Sequence, residues 1–175
     1  MEVKMKCFKD EKRSGCNRVS VLLMTVMLLC VCVQAAVVPS TKQTLDLKPG
    51  WNLVTLTRPL DSMSSNVQKF LMLKPVRYDV GHGTYVYCER AEDVKAGVGY
   101  WVFSDKEQTV DLAVISDQTV TQPLLQKGWN LVGMVDGAAW PDSNEIIWSW
   151  QNGRFEQVND KLKLKAGNAY WVYKQ

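Results

Sequence analysis

Several carboxylates that could act as an acid–base pair lie close to the single histidine of the chain. Asp79 and Glu89 lie on either side of His82, and Asp93 follows a few residues later. Two carboxylates about 5–10 Å apart can hydrolyse a glycosidic bond. His82 lies between two glycines in a turn, and one histidine alone forms neither a catalytic triad nor a metal site. These residues predict solvated loop charges, with a small glycoside hydrolase as the alternative.

The cysteines offer no second route to chemistry. Four of the five lie within residues 1–35, and Cys88 follows alone. One cysteine and one histidine make neither a zinc framework nor an intrachain disulfide, so we expect Cys88 to be a half-buried small hydrophobic residue. The sequence also lacks the HExxH, GxSxG, Walker and GxGxxG motifs. It predicts no catalytic residue, no metal site and no cofactor, and therefore a protein that is not an enzyme.

The first 35 residues have the pattern of a secretory signal peptide. An apolar stretch of about fifteen residues, Val19–Val33, follows a basic segment that ends at Arg18. Val33 and Ala35 then occupy the −3 and −1 positions of a cleavage site after Ala35. The stretch is shorter than the roughly 20 residues that cross a bilayer. We expect export to the periplasm, the outer surface or the medium, with a retained membrane anchor as the alternative.

Beyond this segment the charges balance. Residues 36–175 carry equal numbers of basic and acidic side chains. A neutral body lacks the basic field that nonspecific nucleic-acid binding or polybasic membrane attachment requires. We therefore expect no nucleic-acid partner, and contact with a membrane only through the N-terminal segment if it stays uncleaved.

The chain after this segment contains two blocks that each occur twice in the same order. The block GWNLV at 50–54 returns at 128–132, and the block YWV at 100–102 returns at 170–172. Two independent blocks in one order, each with a tryptophan, indicate a tandem duplication. Repeat one covers about 44–115 and repeat two about 119–175, and both belong to a single predicted β domain, 36–175.

These blocks resemble a repeat of secreted and surface proteins of bacteria, which begins with Gly-Trp-Asn-Leu and ends with Gly-Tyr-Trp-Val. The resemblance covers nearly all of residues 44–175. It departs from the pattern at Ala169, where the first copy has Gly99. What it implies is an accessory segment of an exported protein, without an assigned activity.

Hydrophobic period and turn residues favour strands throughout the two repeats. Tyr100–Phe103 and Tyr170–Tyr173 are short and apolar on both faces, as in a strand covered on both sides. Asn152-Gly153 suits the positive φ angles of a two-residue hairpin turn. Ser65 and the apolar residues that follow it predict one short helix in repeat one. The predicted fold is an all-β sandwich or barrel-like domain made of two pseudo-symmetric repeats.

Three finer expectations concern particular segments. We expect residues 43–47 to pair near the C-terminal strand and close the structure. Lys161–Lys165 alternates lysine with leucine and predicts a guarded sheet edge. Asn52 and Asn130 follow a tryptophan in both copies, and we expect their amides to bond nearby backbone at a bend.

Most aromatic residues fill matching positions in both copies, which favours a role in the shared fold. The predicted core set is Trp51, Trp101, Trp129, Trp171, Tyr100, Tyr170, Tyr85, Phe155, Trp148 and Trp150. Trp140 has no counterpart in repeat one, and Tyr87 is matched by the polar Gln157. Together with His82 in its turn, these two are the candidate ligand-binding residues.

The sequence therefore predicts an exported, noncatalytic binding or structural module. Its partner would be an envelope protein or a polysaccharide, and a carbohydrate-binding module with exposed aromatic rings is the alternative. The solvent exposure of the seven tryptophans decides between a scaffold and an aromatic binding site.

Overall fold

The computed structural model of the chain describes residues 39–61, 65–138 and 144–175. These residues form three antiparallel sheets and one short α-helix. The chain is all-β and sandwich-like with a helix in its first half, which confirms the predicted fold class. The elements in chain order are β1 (Ser40–Leu47), β2 (Gly50–Thr55), α1 (Asn66–Met72), β3 (Val76–Asp79), β4 (Thr84–Tyr87), β5 (Gly99–Ser104), β6 (Gln108–Ile115), β7 (Gly128–Gly133), β8 (Ile146–Gln151), β9 (Arg154–Gln157) and β10 (Ala169–Lys174). No helix among these residues is long and apolar enough to cross a membrane.

The two four-stranded sheets have the same strand order. Sheet I runs β2-β5-β3-β4, and sheet II runs β7-β10-β8-β9. Their registers correspond, since Trp51 lies opposite Phe103 in sheet I and Trp129 lies opposite Tyr173 in sheet II. The GWNLV and YWV blocks thus form neighbouring strands in each sheet. The pseudo-symmetric duplication of the chain stays a prediction.

An asparagine turn fixes the start of both GWNLV strands. The Asn52 side chain accepts a hydrogen bond from the Lys48 N–H at 2.9 Å and donates one to the Lys48 carbonyl at 2.8 Å. Asn130 makes the same two bonds with Gln126, at 2.9 and 2.8 Å. The glycine inside each turn has a φ of +94°, a left-handed conformation that favours glycine. The expected role of the two asparagines is confirmed.

The third sheet consists of β1 and β6, which pair along eight residues from Ser40–Ile115 to Leu47–Gln108. The prediction that residues 43–47 pair near the C-terminal strand is wrong. Both strands alternate apolar and polar residues, and Leu45 of β1 and Leu112 of β6 are buried in the same core. This alternation shows that a strand has one buried face, but it does not identify the partner strand.

The largest core lies between sheet I, the β1–β6 sheet and α1. Phe70 of α1 meets Tyr100 edge to face at 5.5 Å, and both side chains are fully buried. The Tyr100 hydroxyl accepts a hydrogen bond from the Lys95 N–H at 2.6 Å and donates one to the Lys95 carbonyl at 3.0 Å. Burial raises the pKa of this phenol. A second, smaller core on sheet II contains Val132, Met134, Ile147, Tyr170 and Val172.

Two local predictions had different outcomes. Asn152 and Gly153 have φ angles of 52° and 77° between β8 and β9, which confirms the predicted tight hairpin turn. Lys161–Lys163 is instead a 3-10 helix, so the predicted sheet edge is wrong. The Asp160 carboxylate caps that helix by accepting from the Leu162 N–H at 3.0 Å, and the Leu162 side chain is almost completely exposed.

Small residues join sheet I to sheet II. The Gly133 N–H donates to the Gly97 carbonyl at 2.8 Å, and Val54 of β2 forms an isolated antiparallel bridge with Asn168, which precedes β10. A Cβ atom at Gly133 would overlap the buried side chain of Thr55. The backbones of the two sheets approach closely here because one side of the contact has no side chain.

We predict that Gly133→Ala lowers the free energy of unfolding by about 2 kcal/mol, because the added methyl group overpacks this contact. Gly81→Ala is the matched control, since a Cβ there meets only the Asp79 carboxylate, at 3.4 Å. Urea unfolding of both variants measures the effect. Equal stability of the two variants would contradict the tight contact between the sheets.

Candidate functional site

Two open grooves lie side by side on the facing sides of sheets I and II. Groove 1 has a volume of about 420 Å³ and is lined by Trp51, Val76, Tyr85, Tyr87, Trp101, Trp150 and Phe155. Groove 2 has a volume of about 430 Å³ and is lined by Tyr78, Tyr85, Trp129, Trp148, Phe155 and Trp171. Tyr85 and Phe155 line both grooves, so the two form one continuous surface, which we call the aromatic face.

Strand alternation explains why so many rings share this face. In β5, Tyr100 and Val102 are fully buried in the sheet I core, whereas Trp101 and Phe103 point to the opposite side of the strand. In β2, Asn52 turns back to the preceding loop, which leaves Trp51 on the side of the grooves. The same arrangement holds in sheet II, where Asn130 is buried and Trp129 is not.

Each sheet completes the groove of the other. Trp150 of β8 lies against Trp101 of β5 with ring centroids 5.1 Å apart. Tyr78 of β3 lies against Trp171 of β10 at 4.8 Å. The Trp150 indole N–H also donates to the Trp51 carbonyl at 2.9 Å. Neither sheet alone would carry a complete groove.

Every ring contact found among the described residues is edge to face. The planes of Trp101 and Trp150 meet at 85°, and those of Trp129 and Trp171 also meet at 85°. This geometry suits the ring quadrupoles. It also means that neighbouring rings form walls and floors of slots, and no two rings in contact form a flat platform.

Several rings that the sequence assigned to the core are exposed. Trp51 is 51% exposed, Trp129 43%, Tyr85 54% and Phe155 47%. The core interpretation of these four residues is wrong, because they lie on the strand faces opposite the buried cores. Tyr100, Tyr170 and Trp171 are buried, and Trp101, Trp148 and Trp150 are half-buried.

The exposed part of this surface is as large as the largest apolar patch of a typical monomer. Five lining rings are each about half exposed, and at about 200 Å² per aromatic side chain they leave on the order of 500 Å² accessible. The largest apolar patch of a typical monomer is about 300–600 Å² and is often functional. The aromatic face is thus at the upper end of that range.

None of the described residues that line the two grooves carries a charge. The polar atoms that the lining side chains supply are indole N–H groups and tyrosine hydroxyls. Partial burial raises the pKa of Tyr85, and a side-chain hydrogen bond from Trp101 opposes this effect. The Tyr85 hydroxyl therefore stays protonated at neutral pH and can donate a hydrogen bond.

The structure separates the three candidate ligand-binding residues. Tyr87 lines groove 1 and is 62% exposed. His82 lies in the β3–β4 turn, where its Nδ1 is 3.1 Å from the Asp79 carboxylate, and it lines neither groove. Trp140 lies outside the described residues.

The carboxylates near His82 are held by local hydrogen bonds. The side-chain hydrogen bond with His82 is the main effect that lowers the pKa of Asp79. Backbone N–H groups, chiefly that of Arg90, lower the pKa of Asp93. Cys88 is buried, and this burial raises the pKa of its thiol to about 11. No cluster of potential metal ligands occurs among residues 39–61, 65–138 and 144–175.

Sequence reasoning missed the grooves because it interpreted matched aromatic residues as core. The signal that could have revealed them is the residue next to each tryptophan. An asparagine that bonds its own turn points away from the tryptophan beside it, so the two cannot share the buried side of a strand. The polar Gln157, which occupies the position of Tyr87 in the second copy, was a second sign that this position faces solvent.

Comparison of the chain with protein-family models, with curated proteins and with solved structures finds no match. We therefore infer the function of the aromatic face from its geometry.

We predict different stability losses for two tryptophans of the aromatic face. Trp171 is 8% exposed and Trp51 is 51% exposed. Trp171→Ala should cost about 3–5 kcal/mol, since it removes a buried ring. Trp51→Ala should cost about 1–2 kcal/mol, because about half of that ring is already in water. Urea unfolding measures both, and equal losses would show that Trp51 is a core residue.

Proposed function

We propose that this chain is a noncatalytic binding module whose ligand lies across the aromatic face. The observation that carries the proposal is the pair of adjoining grooves, whose lining is aromatic except for Val76. Their volumes lie within the roughly 300–1,000 Å³ of small-ligand sites. Keeping these rings in water costs free energy, and burial against a ligand would recover part of it.

The absence of charged side chains from the described lining of both grooves favours a neutral ligand. A charged ligand would lose hydration in these grooves without meeting an opposite charge. Among the lining residues, the described part of the chain offers only neutral polar groups, namely tyrosine hydroxyls and indole N–H groups, and apolar surface. A neutral ligand with apolar faces fits both properties.

A noncatalytic role agrees with the state of the carboxylates. Glycoside hydrolysis requires one carboxyl group that keeps its proton near neutral pH, with a raised pKa. Asp79 and Asp93 instead have lowered pKa values, and neither lines groove 1 or groove 2; Asp93 lines a separate pocket. The hydrolase alternative has no support from these residues.

Carbohydrate binding remains the second candidate function. Half-exposed indoles such as Trp51 and Trp129 can stack on sugar rings. A flat polysaccharide would need coplanar rings, whereas the described ring contacts are edge to face. This geometry favours the binding of a single sugar unit in one groove over the binding of a flat polysaccharide.

We further propose that the module works outside the cytoplasm. The N-terminal pattern of residues 1–35 and the resemblance to repeats of secreted and surface proteins support this. The raised pKa of the buried Cys88 thiol also supports it, because the thiolate is the form that oxidises and exchanges. A lone cysteine of this kind tolerates an oxidising compartment.

Expression of the full chain in a bacterium tests the export step. We predict a mature protein that begins at Ala36, as read by mass spectrometry of the exported fraction. Leu28→Arg breaks the apolar stretch and should leave the chain uncleaved inside the cell. Full-length protein held in the membrane fraction would contradict cleavage.

The binding role is tested by titrating tryptophan fluorescence with neutral oligosaccharides and uncharged peptides. At least one probe should bind, and Tyr85→Ala should weaken its affinity about tenfold, or about 1.4 kcal/mol, since Tyr85 lines both grooves. Met72→Ala is the control, because Met72 is an exposed apolar residue on α1, away from both grooves. Binding that Tyr85→Ala leaves unchanged would contradict the site.

A further inference from the structure

Resting on the proposed function, we infer that the aromatic face binds a proline-rich segment of another polypeptide in the polyproline II conformation. This conformation has three residues per turn, no internal hydrogen bonds and a ridged outline. Aromatic-lined grooves are a recurring way of recognising such segments. Three properties of the grooves favour this ligand over a sugar, and the exposed area favours it over a second copy of the chain.

The first property is shape. Phe155 stands at 87° to Trp101 in groove 1, and Tyr85 stands at 84° to Trp171 in groove 2. Each pair therefore forms a slot with a floor and a wall, with ring centroids 6.1 and 6.3 Å apart. A pyrrolidine ring enters such a slot as a ridge, whereas a sugar stacks best on one flat ring surface.

The second property is hydrogen-bonding chemistry. A proline residue has a carbonyl acceptor and no N–H donor, so a proline run needs donors only. The lining side chains carry tyrosine O–H and indole N–H donors, of which the Trp150 N–H already binds the Trp51 carbonyl, and the described lining residues include no carboxylate or amide. A sugar hydroxyl also needs an acceptor for its own proton, and among the described lining side chains only the tyrosine hydroxyl oxygens can accept one.

The third property is charge and extent. Both grooves are uncharged, which matches a neutral proline run. Because Tyr85 and Phe155 are shared, the grooves adjoin, and we expect successive turns of a polyproline II helix, about 9 Å apart, to fill one groove each.

The exposed area argues against a second copy of the chain as the occupant. The face exposes about 500 Å² of aromatic surface, whereas a standard protein–protein interface takes roughly 800 Å² per partner, so a second copy would also have to bury the polar surface around the face. A short extended segment needs no larger surface, and a preformed polyproline II helix loses little conformational entropy on binding. The face is therefore matched to a peptide-sized occupant.

Calorimetric titration with a blocked peptide of about ten prolines tests this inference. Binding should have a Kd below about 1 mM. A glycine–serine peptide of equal length should not bind. Tyr85→Ala and Phe155→Ala should each weaken binding about tenfold, while Met72→Ala should leave it unchanged. Thermal unfolding of each variant shows that it is folded, and Tyr85→Phe isolates the hydroxyl donor, which should cost less than Tyr85→Ala.

The outcomes separate the two proposals. If the proline peptide does not bind but a neutral oligosaccharide does, and Tyr85→Ala weakens that binding, the polyproline inference is overturned and the binding function stands. If no probe binds and sedimentation shows a dimer that Phe155→Ala dissociates, the face is a self-interface and both proposals fail. Proline-peptide binding that survives both groove variants would also overturn the inference.

Discussion

The asparagine turn at the start of each GWNLV strand is the constraint on which the architecture depends. Two hydrogen bonds tie Asn52 to Lys48, and two tie Asn130 to Gln126. They fix which side of the strand the asparagine occupies, and strand alternation then sends the preceding tryptophan to the other side. Because Trp51 and Trp129 are held by the same chemistry, both sheets present aromatic rings toward one shared surface.

The way the sheets meet determines that this surface is open. At the ends of β7 and β2, Gly133 faces Thr55 and lets the backbones approach closely. The aromatic rings of the two sheets are much larger than these residues, and they pack edge to face and line the two grooves. Small residues thus form the contact between the sheets, and large aromatic residues form the binding surface. The close contact between the sheets and the aromatic binding surface thus use different residues of the same strands.

The sequence predicted the fold class, the helix and the β8–β9 turn, since these depend on local pattern and turn chemistry. It did not predict that residues 43–47 pair with β6, because alternation marks a buried face without naming a partner. Lys161–Lys163 alternates like a strand but forms a 3-10 helix through the Asp160 cap. The exposed place of Tyr85 and Phe155 depends on how two sheets pack, and no single repeat contains that information.

Fluorine NMR of the 5-fluorotryptophan-labelled protein with a soluble gadolinium chelate tests the central claim most directly. Each indole gives one resonance, and the chelate broadens resonances in proportion to their access to solvent. Among the tryptophans of the described residues, Trp51 and Trp129 should be broadened most and Trp171 least. If Trp51 and Trp129 were as protected as Trp171, the aromatic face would be a buried core and the account would fail.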